Sequence, residues 1–169
     1  MENQEIAQIF KEIATILELK GDNPFRIRAY QKAAQNIESL SENLKDLVVK
    51  DSLENIPGIG KDLAEKIKEI VRTGKLRQHQ ELKRSIPPGL IDMLQIPGLG
   101  PKTVKLIYER LKISDIRALE KAASQGRLRN LPGLREKTEE NILKGIALIK
   151  GGKERTPLYF ALEVAKSFL

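Results

Sequence analysis

The chain has 169 residues, 40% apolar and 31% charged, enough for one domain or two small ones with modest cores. It has no cysteine and a single histidine, His79, which excludes disulfides and thiolate metal centres and leaves little scope for a transition-metal cluster. The formal net charge of +7 is unevenly placed: residues 1–50 carry 7 basic and 8 acidic side chains, whereas residues 51–155 carry 22 basic and 14 acidic. A basic excess of this kind suits a polyanion, with affinity that falls steeply as salt rises; the plain alternative is a solvated basic surface.

Taken in chain order, Ile6, Ile9, Phe10, Ile13, Ile16 and Leu17 follow helical spacing, with a stop at Lys20-Gly21. Asn23-Pro24 supplies a cap and a first helical residue for a second helix through Tyr30, Ala33, Ala34 and Ile37. Ser41 is read as the cap of a short third helix containing Leu44, Leu47 and Val48. The next helix carries Leu63, Ala64, Ile67, Ile70 and Val71 and ends at Gly74. Ile86-Pro87-Pro88-Gly89 marks a domain boundary. Beyond it the pattern predicts helices around Leu90 to Leu94, through Val104, Ile107 and Leu111, from Ser114 to Ala123, and through Ile142, Ile146 and Ile149. Gly151-Gly152 reads as a hinge before an amphipathic helix over Thr156 to Leu169. No stretch sustains period-two alternation, so the chain is expected to be all-α.

One turn sequence recurs: Ile56-Pro57-Gly58-Ile59-Gly60-Lys61, Ile96-Pro97-Gly98-Leu99-Gly100-Pro101 and Leu131-Pro132-Gly133-Leu134-Arg135-Glu136, each before a helical pattern. The spacings of 40 and 35 residues, from Pro57 to Pro97 to Pro132, argue against a solenoid of fixed period. They fit separate uses of a helix-hairpin-helix. In the first two copies the glycines allow a tight turn and close backbone approach, and the following helix start presents unpaired N–H groups and a positive dipole end to a phosphate. In the third, Arg135 replaces the second glycine, and that degenerate copy is read as a packing element. The alternative for all three is a Pro-Gly joint between packed helices. No apolar run reaches membrane-spanning length, and the start, Met1-Glu2-Asn3-Gln4-Glu5, is acidic and polar. A soluble, cytoplasmic protein with no membrane partner is therefore expected; binding to DNA, as a monomer, is the companion expectation.

Asn23-Pro24-Phe25-Arg26-Ile27-Arg28-Ala29-Tyr30, continuing as Gln31-Lys32-Ala33-Ala34, resembles the start of a bacterial family X DNA polymerase. In the same order, Ile56 to Ile67 resembles the hairpin of that family's small lyase-type domain, and Pro87-Pro88-Gly89-Leu90 through Ile107 resembles its fingers subdomain. Leu131-Pro132-Gly133 with Glu136 to Leu143 fits a third element, so the resemblance covers essentially the whole chain. It implies a lyase-type domain over 1–85, a fingers-type subdomain over 86–150, and over 151–169 a hinge and the lead-in to a palm domain. The palm's metal-binding aspartates and Gly-Ser turn do not occur beyond residue 155, nor do the histidine-rich motifs of a phosphoesterase domain. The expectation is a fragment or truncated product that does not polymerise by itself, Mg2+ belonging to the missing palm.

The resemblance places Lys66 at the family's Schiff-base lysine, which removes a 5′-deoxyribose phosphate by β-elimination, with Tyr30 in the same pocket; the alternatives are a solvated helix lysine and an amphipathic core tyrosine. It implies that Arg26 helps hold the 5′-phosphate, which Arg28 would reinforce. Phe25 is read as stacking on a template base, because a flat apolar ring tolerates any base, packing between the first two helices being the alternative. Backbone amides near Gly58, Gly60 and Lys61 would face one phosphate, and those near Gly98, Gly100, Lys102 and Thr103 another. Lys61, Lys66, Lys68, Lys102 and Lys105 add long-range attraction. Related hairpins hold K+ or Na+ through carbonyls that fall here at Glu54, Ile56 and Ile59, and at Leu94, Ile96 and Leu99. Asp62, Gln78 and Glu54 stand where the well-studied animal enzymes have lysines, implying weaker 5′-phosphate capture. Three functions follow as expectations: a gap- or nick-recognising part of a repair polymerase, a lyase in its own right, or a stand-alone hairpin scaffold for duplex or branched DNA.

Overall fold

Apolar residues three and four apart build the first helix, α1 (Asn3–Leu19), which buries Ile6, Phe10, Ile13 and Leu17. The computed structural model describes residues 1–155, and regular structure among them is helical throughout. α2 (Pro24–Glu38) lies along α1, its fully buried Ala33 and Ala34 removing the bulk that would hold two helices apart. Phe10 meets the Tyr30 ring edge-on, with centroids 5.7 Å apart. As the sequence predicts, Asn23 caps α2: its Oδ1 accepts the Phe25 N–H at 2.8 Å, and Pro24 needs no partner.

α3 (Leu44–Val49) is capped by Asn43 and not by Ser41. The Asn43 side chain stands directly before the first helical residue and accepts the Lys45 N–H at 2.9 Å, a position Ser41 is too early to take. Asn3 ties this corner to α1, donating to the Glu42 carbonyl at 2.8 Å and accepting the Leu44 N–H at 2.9 Å. α4 (Lys61–Thr73) ends where expected, at Gly74, whose φ of 82° suits glycine.

α5 (Arg77–Arg84) has no counterpart among the sequence expectations. Its buried residue is His79, 6% exposed, whose Nε2 bonds Glu12 Oε1 on α1 at 2.7 Å. The His79 hydrogen bond, with smaller electrostatic help from its neighbours, outweighs burial and holds the Glu12 carboxyl below the usual carboxylate value. A carboxyl lowered by folding stabilises the native state above its unfolded value, about 4.3, and loses that contribution as pH falls through the folded value. Thermal melts should therefore show a stability loss below about pH 4 that is shallower in Glu12→Gln.

Two units divide the chain, Met1–Ile86 and Pro87 onward. The second holds α6 (Pro88–Met93), α7 (Pro101–Leu111), α8 (Ile116–Ser124) and α9 (Glu136–Arg155). Asp115, one residue after the expected start, caps α8 by accepting the Ala118 N–H at 2.7 Å. α9 continues through Gly151-Gly152, which corrects the expected hinge. Glycine weakens a helix by only about 1 kcal/mol relative to alanine and does not interrupt its hydrogen bonds. The helix expected over residues 156–169 lies outside the described residues. No described helix is long and apolar enough to cross a membrane.

Candidate nucleic-acid interface

The three Pro-Gly segments fold into one turn in one register. The Ile56, Ile96 and Leu131 N–H groups donate to the carbonyls of Leu53, Met93 and Leu128, and Ile59, Leu99 and Leu134 donate back to Ile56, Ile96 and Leu131, all at 3.0–3.1 Å. Gly58, Gly98 and Gly133 occupy the left-handed region at φ of 83°, 85° and 79°. Each following helix starts with the same bond, from Ala64 to Gly60, Val104 to Gly100 and Glu139 to Arg135. Ile56 and Ile59, Ile96 and Leu99, and Leu131 and Leu134 are buried on the inner side of the turns. The third copy is thus degenerate in sequence but not in backbone.

The second glycine of the motif plays a different part. Gly60 and Gly100 have ordinary φ values of −92° and −97°, and a Cβ at either would meet nothing within 4 Å. Neither is required by the turn, which Arg135 serves equally well. What they leave open is the outer approach to a helix start. Around that start α7 offers Lys102, Thr103 and Lys105 with no acid before Glu109, while α4 has Lys61 but also Asp62 and Glu65, and α9 has Lys137 against Glu136 and Glu140, besides the buried Glu139 paired with Arg129. Charge therefore favours an anion most at the second hairpin and least at the third.

Internal bonds brace the first and third turns. Asn36 on α2 donates to the Pro57 carbonyl at 2.6 Å, fixing the first hairpin to the α1–α2 pair. In the third, Glu139 occupies the position that Ala64 and Val104 fill in the other copies and is 2% exposed. It accepts the Arg129 N–H at 2.7 Å and the Arg129 Nε at 2.8 Å. Burial alone would push this carboxyl up, but the bonds and charge of Arg129 outweigh it and hold it below the usual value. Gly145 on α9 lies against the second turn, where a Cβ would come within 2.7 Å of Ile96 Cγ2, so the two hairpins of this unit pack directly together.

In the first unit, Phe25 is 76% exposed, which removes the alternative that it packs between α1 and α2. The Arg28 guanidinium lies 4.8 Å from its ring centroid, a cation–π contact on an open surface. Arg26 pairs with Asp22 at 3.1 Å. Tyr30, placed by the resemblance in a reactive pocket, is 4% exposed and its hydroxyl donates to Gln78 Oε1 at 3.4 Å. Lys66 Nζ lies 2.8 Å from Asp62 Oδ2. Lys68 pairs with Glu65 at 3.2 Å and faces Asp51 at 3.8 Å; the Glu65 hydrogen bond and charge hold its ammonium above the usual value. Lys105 reaches Glu109 at 3.5 Å. Lys61 and Lys102 form no ion pair among the described residues.

The carbonyls considered for a monovalent cation offer a fitting donor set. Those of Ile56 and Ile96 each accept one backbone bond and keep a second lone pair. Those of Glu54, Ile59, Leu94 and Leu99 accept no hydrogen bond from the described residues. Neutral oxygens with spare acceptor capacity suit K+ or Na+ better than a divalent ion, which usually takes carboxylates.

Residues 1–76 match the helix-hairpin-helix domain family and residues 90–147 the SAM-like helix-hairpin-helix tandem. The chain is 34% identical over 98% of its length to the DNA polymerase/3′-5′ exonuclease PolX of Bacillus subtilis (strain 168), covering 29% of that protein. The two hairpin matches and this similarity are consistent with the N-terminal region of a family X DNA polymerase. DNA polymerase lambda of Arabidopsis thaliana is 31% identical over 64% of the chain, and that of Rattus norvegicus 29% identical over 73%. The chain spans less than a third of the family X relatives it matches. A DNA ligase of a Nitratiruptor species is 41% identical over 34% of the chain. Sequence reasoning missed Asn36, Gln78 as a partner of Tyr30, and the Arg129–Glu139 clasp. None carries a local signal, because each acts through a contact distant in sequence or across a turn.

Proposed function

We propose that this chain grips the sugar-phosphate backbone of gapped or nicked duplex DNA as the N-terminal, sequence-independent DNA-binding part of a family X repair polymerase, and acts as a monomer. The observation that carries the reading is the pair of open helix starts at Gly60 and Gly100, where a Cβ would meet nothing within 4 Å and the glycine leaves room for a phosphate beside the backbone amides. The first hairpin takes a phosphate on the downstream strand, together with Arg26 and Arg28; the second takes one on the primer strand, with Lys102, Thr103 and Lys105. K+ or Na+ on the hairpin carbonyls draws these phosphates closer. Phe25, exposed and backed by Arg28, stacks on an unpaired template base. None of these contacts reads a base edge, so affinity depends on salt and little on sequence.

A lyase step at Lys66 is the finer part of the proposal. The Nζ lone pair adds to the C1′ aldehyde of a 5′-deoxyribose phosphate, and water leaves to give an imine. Loss of a C2′ proton to water then breaks the C3′–O bond, releasing a DNA end that keeps its 5′-phosphate, and water hydrolyses the imine to free the unsaturated sugar phosphate and Lys66. Support comes from the placement of Lys66 on α4, one turn into the helix of the first hairpin, with a side chain only 18% exposed.

Borohydride trapping on gapped DNA bearing a 5′-deoxyribose phosphate tests both parts, with binding measured on the same DNA. A covalent adduct lost in Lys66→Ala, which still binds, is the expected result. Binding without an adduct would remove the lyase step and leave gap recognition; no binding at low salt would remove both.

A further inference from the structure

We propose that Asp62 is a positioning residue that gates the Lys66 amine, masking it until a DNA phosphate occupies the first hairpin; this rests on the lyase reading of Lys66 above. Asp62 Oδ2 sits 2.8 Å from Lys66 Nζ, one helical turn away on α4. The lysine side chain is 18% exposed, whereas that of Asp62 is 82% exposed and has Lys66 as its one ion-pair partner among the described residues. The reactive nitrogen is thus held from one side by a carboxylate that stands in solvent. Before the amine can attack an aldehyde, that contact must open.

The turn itself does not need this pair. In the second hairpin the positions of Asp62 and Lys66 are filled by Lys102 and Leu106, in the third by Lys137 and Asn141, and all three turns keep the same hydrogen bonds and glycine conformation. The acid and the lysine occur together only in the copy where the amine has chemistry to do. Asp62 is also the second residue of α4, two after Gly60, beside the amides that would receive a phosphate. Two anions compete there for the same dipole end. An i,i+4 pair whose carboxylate stands in solvent is weak, so an arriving phosphate displaces that carboxylate at little cost. Seating the DNA and releasing the amine then become one event, and the amine stays covered against stray aldehydes when no DNA is bound.

The test uses the full chain as wild type and as the near-isosteric Asp62→Asn, with matching thermal melts as the folding control. In one arm, glycolaldehyde and borohydride label lysines without DNA, and mass spectrometry reads Lys66 against Lys61. In the other, both proteins are trapped on saturating gapped DNA carrying the 5′-deoxyribose phosphate. The gate predicts at least threefold faster Lys66 labelling by glycolaldehyde in Asp62→Asn, with Lys61 unchanged, but less than a twofold difference on DNA, where phosphate has already opened the pair. Equal glycolaldehyde labelling would overturn the proposal. An equally large gain in both arms would also overturn it, because Asp62 would then mask the amine without being displaced by phosphate. No DNA adduct from either protein would refute the lyase reading, while the glycolaldehyde arm would still decide whether Asp62 covers the amine.

Discussion

Gly89→Ala should loosen residues 87–155 severely while leaving the first unit intact. Gly89 is the second residue of α6, and a Cβ there would lie 1.8 Å from the Ser114 carbonyl oxygen, 2.8 Å from Ser114 C and 3.0 Å from Asp115 Cα. All three are backbone atoms, and they lead directly into the Asp115 cap of α8, so no side chain can swing aside. Relief requires α6 and α8 to separate. Overpacking of this kind costs about 3 kcal/mol, occasionally more. For a unit of this size that corresponds to a fall in Tm of more than about 10 °C. Amide hydrogen exchange checks the result: protection should drop across α6 and α8 and stay unchanged in α1 and α2. Unchanged protection in α6 would show that the close approach is not a constraint on the fold.

Gly100→Val should have the opposite profile, an intact fold with weakened DNA binding. The residue has a φ of −97° and an open surround, so a valine fits the free protein without strain. It fills the space through which a phosphate would reach the start of α7. Losing one such contact weakens gapped-DNA binding by about tenfold, or roughly 1.4 kcal/mol. Gly98→Val is the informative contrast. Its φ of 85° is unfavourable for a branched side chain, so that variant should lose stability first and affinity only as a consequence. Thermal melts beside binding isotherms separate the two cases.

The parts of the fold that local chemistry specifies are legible in the sequence. Apolar spacing marks α1, α2 and α4, Asn23-Pro24 marks the start of α2, and Pro-Gly marks all three turns. What resists reading is whatever depends on contacts between distant residues. α5 carries the sequence Arg77-Gln78-His79-Gln80-Glu81-Leu82-Lys83-Arg84, with almost no apolar stripe, because its inward position is a histidine satisfied by Glu12 on another helix. Pro87-Pro88-Gly89 reads as a break, and the units do divide there, but Pro88 also opens α6 and Gly89 answers to the Ser114 backbone. Gly151-Gly152 lies inside a helix because two glycines weaken helix without forbidding it.

The candidate site divides in the same way. Gly58, Gly60, Gly98 and Gly100 are visible as a motif, but only the structure separates the pair that shapes the turn from the pair that leaves its tip open. The third hairpin is set apart in the sequence by Arg135; its stronger distinction is Glu139, a carboxylate in a core position, unreadable without the Arg129 contacts that satisfy it. Lys66 stands out only by resemblance, and Asp62 beside it acquires meaning from a distance of 2.8 Å.

The most direct measurement is the affinity of the chain for one duplex sequence in three forms, intact, gapped, and gapped with a 5′-phosphate, titrated over a range of salt concentrations. The 5′-phosphorylated gap should be bound about tenfold more tightly than the intact duplex, log Kd should rise linearly with log salt, and Gly100→Val should narrow the preference. Equal affinity for all three forms, or binding that Gly100→Val leaves unchanged, would contradict the assignment of these hairpins as backbone clamps at a gap.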